Sequence, residues 1–230
     1  MAAGPDLAKE AARTAEEFLR CAEASDWKQI KSNDGVSVFT RPSEDLKGSI
    51  YKTEVILPAK PEKLIALLNP VKPYRIQWDK LLDKLDILSQ VGENSFLIRH
   101  TTKAALKGLL SARDSIDVVT VGDKGDYFYV SAASVSDPAY PPDSKIVRTF
   151  QYPAGYVVYR IPSDPEQCKF LMIFHADLNM NNVANFMADM MKPQLMIEKI
   201  NSLRKVLETL PVQESDLGDL KPNPQLAIKS

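Results

Sequence analysis

Between residues 6 and 22 the apolar positions Leu7, Ala11, Ala15, Phe18, Leu19 and Ala22 recur at helical spacing with charge between them. That period predicts an amphipathic helix with one buried stripe. After Ser25-Asp26 the period changes. Trp27 to Lys31 and Gly35 to Thr40 read as short strands joined at Asn33-Asp34-Gly35. Residues 49–57 read as a third, with Tyr51, Thr53, Val55 and Leu57 alternating against Lys52 and Glu54. Pro58, Pro61 and the run Lys63 to Leu68 predict a short helix closed by Asn69-Pro70, and the stretch through Trp78 reads as a proline-bounded connector. Strands are expected at 84–90, 95–102, 113–121, 126–134, 145–152, 155–161 and 168–178. The spacers between them are short and carry Gly, Asp, Asn or Pro, so antiparallel neighbours are expected.

From Asn181 to Leu210 the helical period returns, with Val183, Phe186, Met187, Met190, Met191, Leu195, Ile197, Ile200, Leu203, Val206 and Leu207 in one broad stripe. Pro193 inside it removes a hydrogen bond and is expected to bend the helix. Residues 1–210 therefore read as one domain. Residues 211–230 carry no sustained pattern and read as a flexible tail. A sheet of several strands with one long helix to cover it would curl around that helix, and the two can then enclose a cavity.

Composition narrows the function classes. Of the 230 residues, 29 are Lys or Arg and 30 are Asp or Glu, so no charge excess draws the chain to nucleic acid or holds it on an acidic membrane. No apolar run approaches the roughly 20 residues that span a bilayer, and no secretory leader is visible at the N-terminus. The two cysteines, Cys21 and Cys168, stand in no motif, which suits a reducing, cytoplasmic setting. With only His100 and His175, no zinc spacing is present. The nine glycines form no phosphate-cradling pattern, and no nucleophile elbow is seen. An enzyme is therefore not the expected reading, although a catalytic geometry need not show as a motif.

Six segments resemble, in order and at compatible spacing, a START domain, the steroidogenic acute regulatory protein-related lipid-transfer module. They are Trp27-Lys28 with Asp34-Gly35-Val36-Ser37-Val38 and Arg41-Pro42-Ser43; Trp78-Asp79; Ser111-Ala112-Arg113-Asp114-Ser115-Ile116-Asp117; Val147-Arg148 with Pro153 and Gly155; Phe174-His175-Ala176-Asp177-Leu178; and Pro193 in the long helix. The resemblance covers about residues 20–210 and is nearest to the short, stand-alone cytosolic members. It implies a mixed α/β helix-grip fold: a curved antiparallel sheet around the C-terminal helix, an internal lipid cavity and no cofactor. The sequence departs from the family pattern at Ala112, Ser115, Gln151-Tyr152 and the shorter link Asn179 to Asn182. Where some sterol-carrying relatives hold an acidic and a basic residue in the cavity, this chain has His100 and Val119.

The expected ligand-binding residues are Arg99, His100, Asp117, Val119 and His175, with Phe186, Met187, Met190 and Met191 on the helix. Arg99 and His100 are neighbours on one strand and point to opposite faces. The resemblance places a basic residue at Arg99 in the cavity, and the alternative is an ion pair with Asp117 or another acid. His175 and Asp177 share a face and are expected as a hydrogen-bonded pair. The methionines suit a lid that adapts to its ligand, or an ordinary helix closing a core. Residues 103–112 bring Leu106, Leu109 and Leu110 beside Lys103 and Lys107, which fits either a membrane-dipping loop or a cavity rim. The resemblance implies a monomeric, non-enzymatic carrier that takes one hydrophobic lipid and makes transient membrane contact. A sterol is the first ligand expected, and a carotenoid or other isoprenoid the next. An enzyme on a related fold and a lipid-sensing module are the rival classes.

Overall fold

The computed structural model describes residues 6–104 and 111–223. Helix α1 spans Leu7–Glu23 and is capped by Asp6, whose side chain accepts from the Lys9 amide. Strands β1 (Lys28–Asn33), β2 (Val36–Pro42) and β3 (Ser49–Leu57) follow. Asp34 and Gly35 both adopt positive φ, as the tight turn between β1 and β2 requires. Helices α2 (Pro61–Leu68) and α3 (Arg75–Trp78) lead to β4 (Leu82–Gly92), β5 (Ser95–Thr102), β6 (Arg113–Asp123) and β7 (Tyr127–Ser134). Then come β8 (Val147–Arg148), β9 (Phe150–Gln151), β10 (Ala154–Arg160), β11 (Cys168–Phe174), β12 (Ala176–Asp177) and α4 (Asn182–Thr209).

Nine strands form one antiparallel path among the described residues, in the order β1-β2-β3-β11-β10-β7-β6-β5-β4. Its two faces are buried against different helices. Val38, Val55, Phe96, Ile98, Val119, Val130, Val158 and Phe170 point inward and pack with α2 and with Met196, Ile197, Ile200, Leu203 and Leu207 of α4. Leu97, Ile116 and Val118 point outward to Ala11 of α1, and Val157, Leu171 and Ile173 to Ala15 and Phe18. Burial on both faces explains why several strands read as apolar runs. The sheet gripping α4 is the helix-grip arrangement.

Four local expectations change. The strand expected at 145–152 is two short pieces: β8 pairs with β6 in parallel, and β9 pairs with β12 outside the main sheet. The expected strand 168–178 stops at Phe174 for the same reason, and the connector before Trp78 contains α3. The stretch from residue 211, expected as loose, is docked as far as residue 223. Lys72 is buried and holds Asp216 and Asp219, each at 2.8 Å. Tyr74 donates to Asp216 at 2.5 Å, and the amides of Gly218 and Asn223 bond to the carbonyls of Glu62 and Val71. Val212 and Leu220 lie against the inner core.

Candidate functional site

The inner surface carries two polar clusters on otherwise apolar walls. The first is built by β5, β6 and β7. Alternation along β5 turns His100 inward with Phe96 and Ile98, and its Nδ1 lies 2.7 Å from Oδ2 of Asp117. Asp117 is buried and also accepts from Ser115 Oγ at 2.7 Å and Ser134 Oγ at 2.6 Å. Burial alone would push its carboxyl pKa up. The bonds from His100, Ser115 and Ser134 outweigh that and hold it below the usual carboxylate range. Val119, two residues further along β6, is part of the apolar wall.

The second cluster was not read from the sequence. Trp78 donates to the Leu67 carbonyl at 2.8 Å, which pins α3 against α2 and turns Asp79 inward. Asp79 Oδ2 meets Lys199 of α4 at 2.9 Å and Arg75 at 3.7 Å. Arg75 in turn donates to the Tyr156 hydroxyl of β10 at 3.3 Å. Desolvation opposes the charge on Asp79, but the two cations prevail and bring its pKa to about 2. Of the Lys199 and Arg75 side chains, 25% and 13% stay accessible. His100, with 13% of its side chain accessible, borders the same inner face. The Trp78-Asp79 pair was the only legible sign of this cluster, because Arg75, Tyr156 and Lys199 are far apart in the chain.

Other expected site residues lie elsewhere. Arg99 points to the outer face, where its Nε and Nη2 bind Asp114 at 2.9 and 2.7 Å. Asp114 also takes Arg148 at 2.8 Å, so Arg99 belongs to an outer ion cluster and its partner is not Asp117. One residue of register separates it from His100, and that residue decides the face. His175 is not paired with Asp177. Its Nε2 is 2.7 Å from Ser43 Oγ, and its ring stacks on Tyr152 at 4.8 Å. Burial lowers its pKa to about 4. It therefore serves as a neutral clasp at the end of β11.

On α4 the single broad stripe divides. Met196, Ile197, Ile200, Leu203 and Leu207 are buried. Phe186, Met187, Met190 and Met191 are uncovered, with Phe186 and Met190 exposed by 65% and 70%. Helical spacing puts Phe186 and Met190 in line with Ile197 and Ile200, so one face is covered at its C-terminal end and open at its N-terminal end. Lys103 is exposed, while Leu106, Lys107, Leu109 and Leu110 lie outside the described residues. Arg113 donates to the Leu178 carbonyl at 3.3 Å and to the Ser111 carbonyl at 2.7 Å, so the loop's far end meets the link into α4.

A family model described as START domain matches residues 7–211. The chain belongs to the START domain family. Over 202 residues this START domain is 31% identical to StAR-related lipid transfer protein 5 of Mus musculus, covering 86% of this chain and 94% of that one. StAR-related lipid transfer protein 6 of Homo sapiens is 30% identical over 170 residues, covering 73% and 77%. The solved structure of human StAR-related lipid transfer protein 5 superposes with a TM-score of 0.82 at 27% identity, covering 88% of this chain and 96% of that one. No helix among the described residues is long and apolar enough to cross a membrane.

Proposed function

We propose that this START domain is a non-enzymatic lipid carrier that holds one hydrophobic lipid between its sheet and α4 and moves it between membranes. The observation that carries the reading is the inner face of the sheet: apolar side chains from eight strands turned toward α4, with polar groups in two clusters and at Thr53. Each methylene taken out of water contributes roughly 0.8 kcal/mol, so a lipid of about 25 carbons gains ample affinity from the walls. The polar groups are then left to orient it. A sterol is the leading ligand, and a carotenoid or other isoprenoid the next.

Entry is assigned to the N-terminal half of α4. Its C-terminal half is anchored by Lys199 to Asp79, by Arg204 to Asp34 at 2.7 Å, and by Lys63 to the Leu207 carbonyl at 2.7 Å. The uncovered residues Phe186, Met187, Met190 and Met191 lie on the other side of Pro193, which withholds an amide from the helix ladder. Phe186 and Met190 face the membrane during exchange, together with residues 103–112. Purified protein exposed to mixed lipids, sterols and carotenoids, then repurified and extracted, should yield one stoichiometric lipid by mass spectrometry. A folded protein that returns empty would remove the carrier reading. Phe186→Ser with Met190→Ser should slow transfer between vesicles severalfold and leave the melting temperature within about a degree. Unchanged transfer would dismiss this entry route.

A further inference from the structure

Three Lys or Arg side chains are buried among the described residues: Lys52, Lys72 and Arg113. Lys52 meets Glu54 at 2.8 Å, and Lys72 meets Asp216 and Asp219 at 2.8 Å each. Arg113 meets no carboxylate. It is 7% exposed, burial lowers its pKa, and no acid offsets that cost. Its neighbour Asp114 is taken by Arg99 and Arg148 on the outer face. Residues 1–5, 105–110 and 224–230 contain no Asp or Glu, and the first turn of α4 brings none.

The bonds that hold this guanidinium are also incomplete. Nη1 donates to the carbonyl and the hydroxyl of Ser111, and Nε reaches the Leu178 carbonyl at a long 3.3 Å. Nη2 donates to no described residue. The Ser111 hydroxyl accepts from Nη1, so its own proton is free for another acceptor. Arg113 is the first residue of β6 and shares a face with Asp117 and Val119, so it stands at the rim of the inner surface. Thr102 pairs with it in register, and exposed Lys103 follows at the same end of the sheet. Leu178 lies in the link to α4, so this rim is also the root of the helix half assigned to entry.

We propose that Arg113 and Ser111 form an oxyanion site at the entrance, which takes one phosphate group through Nη2 and the Ser111 hydroxyl. A phosphate oxygen is a charged acceptor, and a guanidinium binds it by paired, charge-assisted bonds. It brings the negative charge that no side chain supplies to Arg113. A single local contact needs no excess of basic residues in the chain as a whole. A headgroup in a bilayer surface and free phosphate share this chemistry. The purpose of the site rests on the carrier reading: it seats the entrance on an acidic membrane.

The test is binding of the full-length protein to vesicles of phosphatidylcholine, alone and with phosphatidylglycerol, whose phosphate is not masked by choline. The mixed vesicles should bind about fivefold tighter. Arg113→Met should erase that preference, and Arg113→Lys should restore part of it. Ser111→Ala, at an exposed residue, should reduce it and decides the matter where Arg113→Met does not fold. At about 0.5 M salt the pull of exposed Lys103 is screened, whereas a contact at buried Arg113 keeps the preference. In a second arm inorganic phosphate replaces chloride at equal ionic strength while the melting temperature is read. A vesicle preference that needs Arg113 identifies a headgroup as the occupant. A rise in melting temperature that needs Arg113, without a vesicle preference, identifies free phosphate. If Arg113→Met and Ser111→Ala match the unmodified protein in both arms, the site is overturned. Lipid extraction is read separately. A protein that returns loaded but fails both arms loses the site and keeps the carrier reading, and one that passes an arm but returns empty does the reverse.

Discussion

Lys199 lies midway along α4, and its Nζ stands 2.9 Å from Oδ2 of Asp79, the residue that follows α3. This one contact joins the long helix to the connector that carries Arg75. It links the position of α4 to the second polar cluster. Breaking a buried pair by removing one partner leaves an uncompensated charge, so the contact also bears on stability.

The acid limb of stability should show it. Asp79 has a pKa of about 2 in the fold against 3.8 for the free group. A depressed folded pKa gives stability that is fully present above about pH 4 and is lost as pH falls toward 2. The loss attributable to Asp79 is about 2 kcal/mol. Urea titrations between pH 5 and 2 should be flatter in Asp79→Asn, and an unchanged slope would contradict the assignment.

His175 acts at higher pH with the same sign. Its pKa falls from 6.5 to about 4 because its ring is buried against Ser43 and Tyr152. The neutral ring therefore stabilises the fold fully above pH 6.5, and that contribution fades as pH drops to 4, by about 3 kcal/mol. In His175→Asn, stability between pH 7 and 4.5 should lose most of this dependence.

Residues 211–223 should prove part of the fold. Lys72 is buried beneath Asp216 and Asp219, so Lys72→Ala leaves the buried Asp216 without its cation, and truncation after Leu210 removes both carboxylates together with the apolar contacts of Val212 and Leu220. Lys72→Ala should cost about 3–5 kcal/mol, and the truncation should also destabilise the fold. Lys72→Met, which also strands the carboxylates but fills the space, should cost less than Lys72→Ala. A truncated chain as stable as the full one in guanidinium would show that the segment is only draped on the surface.

Gly155 is required by backbone approach. Its φ is +149°, and an added Cβ would sit 1.9 Å from the Val130 carbonyl oxygen, where β10 pairs with β7. Gly155→Ala should destabilise by more than about 3 kcal/mol and loosen that strand pair in hydrogen exchange. A loss under 1 kcal/mol would mean that the two strands can part without cost.

Much of the fold was legible because periodicity is local. The alternation of Tyr51, Val55 and Leu57 placed β3, and the stripe from Ile197 to Leu207 placed the buried half of α4. The site was legible only in part. His100 and Asp117 were both expected at it, and they meet across neighbouring strands whose register pairs His100 with Ser115. Arg99 was expected among the ligand-binding residues, with an ion pair as the alternative, and strand alternation alone could not say which face was inner. The Arg75, Asp79, Tyr156 and Lys199 cluster had no local pattern to reveal it.

By itself the sequence determined the order of elements and the two helical ends around a run of strands, because these follow from spacing along neighbouring residues; the family came from the resemblance of its motifs. The tertiary structure alone decided which face of β5 looks toward α4, that β8 and β9 leave the antiparallel run, and that residues 211–223 are fastened by Lys72. It also decided that Phe186, Met187, Met190 and Met191 of the α4 stripe are uncovered while Met196, Ile197, Ile200, Leu203 and Leu207 are buried. Each of these depends on which distant side chains arrive at the same place, and burial and pairing are properties of that meeting rather than of any one segment.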